Sequence, residues 1–299
     1  MTKLWITRKN AKTDWETQRL LHECKTIGVN ADVAITDNID VIVNKEDRNS
    51  IRFNGSKTSL PDVVVTRTGS GTGYFSLAIL RQLERCGVMT INNSTSIDIV
   101  KDKLHTHQVL HQIGLPIPKT MLVKHPVNVE LVAQQIKFPC VIKVLSGSYG
   151  LGVHLSQDPQ SFKDLMELVH SLNSESHLLI QEYVDHKAGQ DLRIIVIGDR
   201  CLGAMLRKNN DGGFKANISR GGEALPFNLT TEIESIALQA ASTLGLEIAG
   251  IDLLFDKNGF KICEANSAPG FFGFEQATGI NVAKEIIDYC LSRINTQRK

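Results

Sequence analysis

The stretch GIDLLFDKNGFKICEAN, residues 250–266, decides how the rest of the chain is read. Two apolar runs flank Lys257-Asn258-Gly259, a turn signal between strands. With a three-residue loop and Gly259 in the left-handed position, the pairing centres on Asn258. Asp252 then faces Glu264 directly, roughly 5 Å away between Cβ atoms, and Asn266 follows two residues on along the same face. A two-residue Asn-Gly turn would shift the register by one and send the two carboxylates to opposite faces, so the reading depends on the turn. Two carboxylates and an amide form an all-oxygen donor set. Such a set suits Mg²⁺ or Mn²⁺, ions that keep waters and bridge carboxylates to nucleotide phosphates. The competing reading is a solvated acidic hairpin, and it fits less well because both carboxylates sit inside apolar runs, AGIDLLF and FKICEAN.

Outward from this hairpin, 299 residues allow two or three subdomains and a large core. Residues 1–94 alternate short apolar runs (LWIT, ADVAI, DVVVT, VMTIN) with helical patterns near 13–28 and 74–87, and carry a hairpin signal at Asn54-Gly55. That alternation predicts an α/β unit with a parallel sheet. Residues 95–114 read as one amphipathic helix stopped by Gly114 and Pro116. A central lobe, 95–183, continues with MLVK, a helix near 128–136, PCVIKVL, a Gly-rich loop, VHLS, a helix near 158–172 and HLLIQEYV. From 191 the pattern is antiparallel: DLRIIVIG, CLGAMLRK, a polar loop at 209–222, a helix near 230–245, the hairpin, and a last helix near 280–294. The expected class is α/β and α+β, with an α/β N-terminal domain at 1–94 and two α+β lobes at 95–183 and 184–299.

Charge and composition exclude several classes. Lys plus Arg is 33 and Asp plus Glu is 32, so no overall field recruits nucleic acid or an anionic membrane. The cysteines at 24, 86, 140, 201, 263 and 290 lack CxxC spacing and read as reduced core thiols of a cytoplasmic protein. The start MTKLWITRKN has no signal-peptide apolar region, and no run of about 18 apolar residues appears, so neither secretion nor membrane spanning is expected.

Further candidates lie upstream of the hairpin. Ser146-Gly147-Ser148-Tyr149-Gly150-Leu151-Gly152 sits between two strand-like runs, where its backbone N–H groups could grip phosphate oxygens or simply close a hairpin. It is not a Walker loop, since no Gly-Lys-Ser/Thr or helix follows. Lys143 precedes it in an apolar strand, where an unpaired ammonium is costly and a phosphate partner removes the cost. Lys103 lies on a charged helical face. Gln181-Glu182-Tyr183-Val184 ends a strand and forms a natural hinge, with Asp191 nine residues past Glu182. Arg193 and Arg207 fall on consecutive strands, and Asn217 and Arg220 lie in FKANISRGG. Guanidinium groups bind carboxylate and phosphate in bidentate fashion and stabilise charge on a transferring phosphoryl group. His107 and His111 have the i, i+4 spacing of zinc ligands but lack the Glu of HExxH and a third ligand.

Taken in order, Lys143 with the Gly-rich loop, the QEYV hinge, Asp191, Arg207, Asn217 and Asp252…Glu264-x-Asn266 resemble the ATP-grasp fold with an N-terminal pre-ATP-grasp domain. More narrowly, QDLRIIVIG, FKANISRGG, AGIDLLF and CEANSAPGFFGFEQATGINVA resemble RimK-type α-L-glutamate ligases. The resemblance implies an ADP-forming ligase that joins L-glutamate to an acceptor carboxylate, a protein C-terminus or a small molecule, through an acyl phosphate. It implies ATP and two Mg²⁺ (or Mn²⁺) ions. Lys103 and Lys143, with the loop residues Gly147, Ser148 and Gly150, would contact phosphates. Gln181, Glu182, Tyr183 and Val184 would line the adenine pocket and Asp191 would hold the ribose. Lys215, Ala216 and Asn217 would approach the nucleotide or reacting phosphate, Arg207 would stabilise the phosphoryl group in transfer, and Arg193 and Arg220 would contact carboxylate or phosphate. Asp252, Glu264 and Asn266 would ligate the metals. Phe271-Phe272 is more apolar than the acid-containing version expected of ribosomal-protein-modifying members, so the acceptor stays open. Two other readings remain: an ATP-grasp ligase joining another amino acid to a metabolite or carrier protein, and a nucleotide-binding regulatory module without turnover. A dimeric or tetrameric homo-oligomer is expected, with no nucleic-acid or membrane partner.

Overall fold

A computed structural model describes residues 2–9, 14–43, 50–69, 72–145, 152–210, 212–214, 216 and 222–297. The first sheet is built from β1 (Lys3–Arg8), β2 (Asn30–Ile35), β6 (Val63–Thr66) and β7 (Met89–Ile91), parallel and ordered β2-β1-β6-β7. Its strands alternate between two cores. Leu4, Ile6, Val63 and Val65 face α1 (Trp15–Thr26) and α9 (Val282–Gln297), while Trp5 and Val64 face α2 (Tyr74–Arg85). Both faces are covered, which is why these strands read as continuous apolar runs. Asp14 starts α1 by accepting from Thr17 N at 2.9 Å. A small sheet of β3 (Ile39–Val41), β4 (Ile51–Phe53) and β5 (Ser56–Lys57) contains the expected hairpin, where Asn54 (φ 50°) and Gly55 (φ 72°) make its two-residue turn.

The single helix expected over 95–114 is two: α3 (Ser94–Lys101) and α4 (Lys103–Gln112). Asp102 breaks the pattern because its extended backbone lets the carboxylate accept from Leu104 N and His105 N at 2.9 and 3.1 Å, starting a new helix. The second sheet runs β10 (Val153–Ser156), β9 (Cys140–Val144), β11 (His177–Glu182), β8 (Thr120–Lys124), all antiparallel. One face packs Val123, Cys140, Ile142, Leu178 and Ile180 on α5 (Val129–Gln135) and α6 (Pro159–Leu172). Lys143 pairs with Leu179 and Val141 with Gln181, so these four share the opposite face.

The third sheet, β14 (Glu223–Phe227), β13 (Arg200–Lys208), β12 (Gln190–Ile197), β15 (Ile248–Asp256) and β16 (Gly259–Asn266), is antiparallel. Leu192, Ile194, Val196, Ile251 and Leu253 point to α7 (Thr231–Thr243). On the other face Ile195, Ile197 and Met205 join the core around α9 and the first sheet. That leaves Asp191 and Arg193, nearer the start of β12, on a polar patch. β14 and α8 (Phe272–Thr278) carry no expectation from the pattern. Among the described residues no helix is long and apolar enough to cross a membrane.

Asn92 ties the first sheet to the third. Its fully buried Nδ2 donates to Ile248 O and Ser267 O, both at 2.7 Å, and its Oδ1 accepts from Glu247 N and Ile248 N at 2.7 and 2.9 Å. Asn92→Ala strands four buried backbone groups and is expected to cost about 3 kcal/mol or more. The adjacent Asn93→Ala, which removes only the cap of α3, should cost about 1 kcal/mol. Urea unfolding followed by circular dichroism checks the contrast; equal losses would show that Asn92 is no tie.

Candidate active site

The hairpin reaches the expected pairing by a different route. Its turn is the two-residue Lys257-Asn258, closed by Asp256 opposite Gly259, and not the three-residue loop expected from the sequence. Counted from that turn, Asp252 would face Cys263. A bulge at Cys263 adds one residue to β16, so Leu253 pairs with Ile262 while Asp252 pairs with Glu264 and Gly250 with Asn266. Phe260 and Ile262 thereby stay with the core under the sheet while Glu264 lies across from Asp252. Gly259 (φ 122°) takes a backbone conformation at the turn that L side chains rarely adopt.

Four charges interlock on the polar patch. Arg193, directly across from Asp252, grips it with Nε at 2.5 Å and Nη2 at 2.7 Å. Arg207 Nη2 lies 2.9 Å from Asp252 Oδ2, and Arg207 Nε donates to Asp191 Oδ1 at 2.6 Å. Arg207 and Asp252 are 7% and 3% exposed. Burial pushes the Asp252 carboxyl up, but Arg193 and then Arg207 outweigh it and hold the group below its ordinary value. Burial likewise works against the Arg207 charge, and Asp191 and Asp252 more than reverse that, fixing it as a cation. Asp191 is raised by burial, against Arg207 and with help from the Asp252 charge.

Around the quartet stand the other expected residues. Lys103 Nζ is 3.4 Å from Glu264 Oε1, and Asn266 Nδ2 donates to Gly250 O at 3.4 Å. Lys143, buried on the central sheet, reaches across to within 3.7 Å of Cys263 Sγ. Thus Lys103, Lys143, Asp191, Arg193, Arg207, Asp252, Glu264 and Asn266 meet where the second and third sheets face each other. Tyr183 lies edge-on to Phe214, ring centroids 6.3 Å apart, Val184 is half-buried and Ala216 is buried. Glu182 is paired with Lys261 and also accepts from Lys119 N at 3.0 Å. Gly147, Ser148, Gly150, Lys215, Asn217 and Arg220 lie outside the described residues.

Sequence reasoning named Gln181 only for the adenine pocket and His107 only for its spacing to His111, and missed the bonds that join them behind this cluster. Gln181 is buried, and its side chain bonds Thr120 Oγ1 at 2.8 Å and His107 Nδ1 at 3.1 Å. The other ring nitrogen of His107 lies 3.4 Å from Cys263 O, so this histidine joins α4, the central sheet and the bulge. His111, its partner in the zinc spacing, is exposed instead. The sequence held one signal for His107: in KLHTHQVL it falls one turn before the buried Leu110, on the inward face.

Burial, Lys143 and Lys103 lower the His107 pKa from 6.5 to about 4, against the bond to Cys263. The folded protein therefore favours the neutral ring. The stability this contributes is complete above the unfolded value of about 6.5 and falls on acidification towards about 4. The loss is on the order of 3 kcal/mol. His107→Gln should flatten the urea midpoint between those pH values; an unchanged slope would assign the acid sensitivity to another group.

Known proteins share this fold. Residues 100–290 match the RimK-like ATP-grasp domain and residues 3–97 the RimK pre-ATP-grasp domain. A probable alpha-L-glutamate ligase of Nitrosococcus oceani is 34% identical over 289 residues, 96% of this chain and 94% of that one. Among solved structures, a RimK domain ATP-grasp protein from Sphaerobacter thermophilus superposes with a TM-score of 0.74 at 16% identity, over 95% of this chain and 98% of that one. The ATP-grasp ligase PsnB, complexed with a minimal precursor, Mg and ADP, gives 0.74 at 18% identity, over 98% of each chain. With both family domains matched in order along nearly its whole length, the chain is an ATP-grasp protein with an N-terminal pre-ATP-grasp domain and belongs to the RimK-like family.

Proposed function

We propose that the protein is an ATP-dependent carboxylate–amine ligase that adds L-glutamate to an acceptor carboxylate and releases ADP and phosphate. The observation that carries this reading is the meeting of Arg207, Arg193 and Lys143 with Asp252, Glu264 and Asn266. Cations for phosphate oxygens and oxygen donors for a hard metal face one another there. The donor set, two carboxylates and one amide, fits Mg²⁺ or Mn²⁺, and two ions between it and a polyphosphate are the proposed complement. When bound, the metal offsets phosphate charge and fixes the terminal phosphoryl group.

The chain's own residues do the remaining work. Lys143 and Lys103, together with Gly147, Ser148 and Gly150, bind phosphate oxygens. Gln181 to Val184 and Ala216 bound the adenine, and Asp191 takes the ribose. Arg207 stabilises charge on the phosphoryl group as it passes to the acceptor carboxylate. Lys215 and Asn217 act on the nucleotide or reacting phosphate, and Arg193 and Arg220 bind carboxylate or phosphate. The glutamate amine then attacks the acyl phosphate, and phosphate leaves from the tetrahedral intermediate. No protein nucleophile is required, because positioning and charge neutralisation suffice for phosphoryl transfer.

Oxygen-18 placed in the acceptor carboxylate is expected in the released inorganic phosphate, with ADP as the nucleotide product. AMP and pyrophosphate, with label in AMP, would overturn the mechanism. Lys143→Ala should weaken ATP binding by roughly tenfold or more and adenosine binding far less. Calorimetry with equal losses for both ligands would remove Lys143 from the phosphate site.

A further inference from the structure

Three consecutive residues of the bulged strand are each held by the same short stretch of chain. Glu264 Oε1 lies 3.4 Å from Lys103 Nζ, Cys263 O lies 3.4 Å from His107 Nε2, and Ile262 N donates to Pro116 O at 2.7 Å. Lys103 and His107 are four apart on α4 and share one face of that helix, and Pro116 follows its end. The bulge leaves Cys263 without a partner in the register with β15, and the histidine ring stands at its carbonyl instead. Lys143 of β9 meets the thiol of the same residue at 3.7 Å.

The bonding pattern assigns the state of the ring. A backbone carbonyl can only accept, so Nε2 carries the proton toward Cys263 O. Nδ1 is then an acceptor, and the Gln181 amide nitrogen lies 3.1 Å away to donate to it. That amide also donates to Thr120 Oγ1 at 2.8 Å, and Thr120 Oγ1 donates to Pro118 O at 2.8 Å. Both nitrogens of a neutral ring are thus committed, one to the central sheet and one to the hairpin. The ring is only 3% exposed, so these two bonds hold it in a single orientation. His107 stands one residue away from a carboxylate of the proposed metal site, since the peptide after Cys263 carries Glu264.

We infer that His107 is a positioning residue for the metal: its Nε2–H fixes the bulge carbonyl, and with it the direction in which Glu264 presents its carboxylate, while Gln181 holds the ring from behind. Groups that orient a metal ligand in this way typically change metal affinity by about 10–100-fold when removed. The inference rests on the metal placement in the ligase reading and deepens it by adding the support behind one ligand. A histidine that merely filled the core would affect stability and leave the metal alone.

The test is a binding measurement on the full chain, with Mn²⁺ and ADP as probes and free Mn²⁺ read by electron paramagnetic resonance. His107→Asn places its amide near the Nδ1 position, which keeps the Gln181 side and falls short of Cys263. It should weaken Mn²⁺ in the ADP complex by roughly tenfold. His107→Gln, whose amide nitrogen reaches the Nε2 position and can donate to Cys263 O, should bind Mn²⁺ about as the unaltered protein does. ADP affinity measured by calorimetry in EDTA should be the same in His107→Asn and the unaltered protein, which a general loosening of the lobes would not allow. Unchanged Mn²⁺ affinity in His107→Asn, equal losses in both variants, or an ADP loss in EDTA as large as the Mn²⁺ loss would overturn the inference. Should His107→Asn fail to fold, Thr120→Val, which takes one partner from the ring, should still weaken Mn²⁺ by about threefold, and an unchanged affinity there would decide against it. An unaltered protein that binds no Mn²⁺ with ADP would remove the metal site itself, a failure of the ligase reading that is distinct from equal binding by all the variants.

Discussion

The buried salt-bridge quartet of Asp191, Arg193, Arg207 and Asp252 is the constraint on which the rest of the structure depends. Two carboxylates and two guanidinium groups sum to zero charge, but an ion withdrawn from water is costly unless its partners are held in good geometry. That geometry comes from antiparallel register alone. Arg193 stands opposite Asp252 and Asp191 opposite Arg207, so three neighbouring strands must be aligned for any one of the four to be paired. A slip of one residue would bury isolated charges and expose the core under α7. The quartet thus specifies the register that also sets Glu264 and Asn266 in place. It holds Asp252 and Arg207 charged and keeps Arg193 and Arg207 oriented toward the site proposed above.

The three sheets are joined by polar ties as much as by apolar packing. Asn92 stitches the first sheet to the third through backbone groups of Glu247, Ile248 and Ser267, and Glu16 and Arg67 hold the segment after β16 from the other side. Among the described residues the ties between the second and third sheets are thinner: Lys143 to Cys263, Lys261 to Glu182 and, from α4, His107 to Cys263. The phosphate and adenine contacts proposed above fall in this thinner seam.

Much of this was legible in the sequence, for definite reasons. Alternation in DLRIIVIG separates Leu192, Ile194 and Val196 from Asp191 and Arg193, and the structure keeps that division. The facing of Asp252 and Glu264 was also legible, though the reason was not. The sequence favours one turn; the chain adopts another and corrects it with a bulge that no short-range pattern encodes. Similarly, 95–114 carries one helical periodicity, and the break at Asp102 depends on a side chain turning back to cap rather than on any apolar spacing. His107 and Gln181 were opaque as a pair because their partners, Thr120 and Cys263, come from distant parts of the chain.

The bulge at Cys263 has one more effect. β16 is the outer strand of its sheet, and outer strands offer unpaired backbone groups to other chains. Here the kink turns those groups inward to local partners: Ile262 N donates to Pro116 O at 2.7 Å, and Cys263 O faces His107. The irregularity that aligns the carboxylates therefore also blunts the margin of the sheet against strand addition. Any self-assembly of the protein must be built on surfaces other than this stretch of β16.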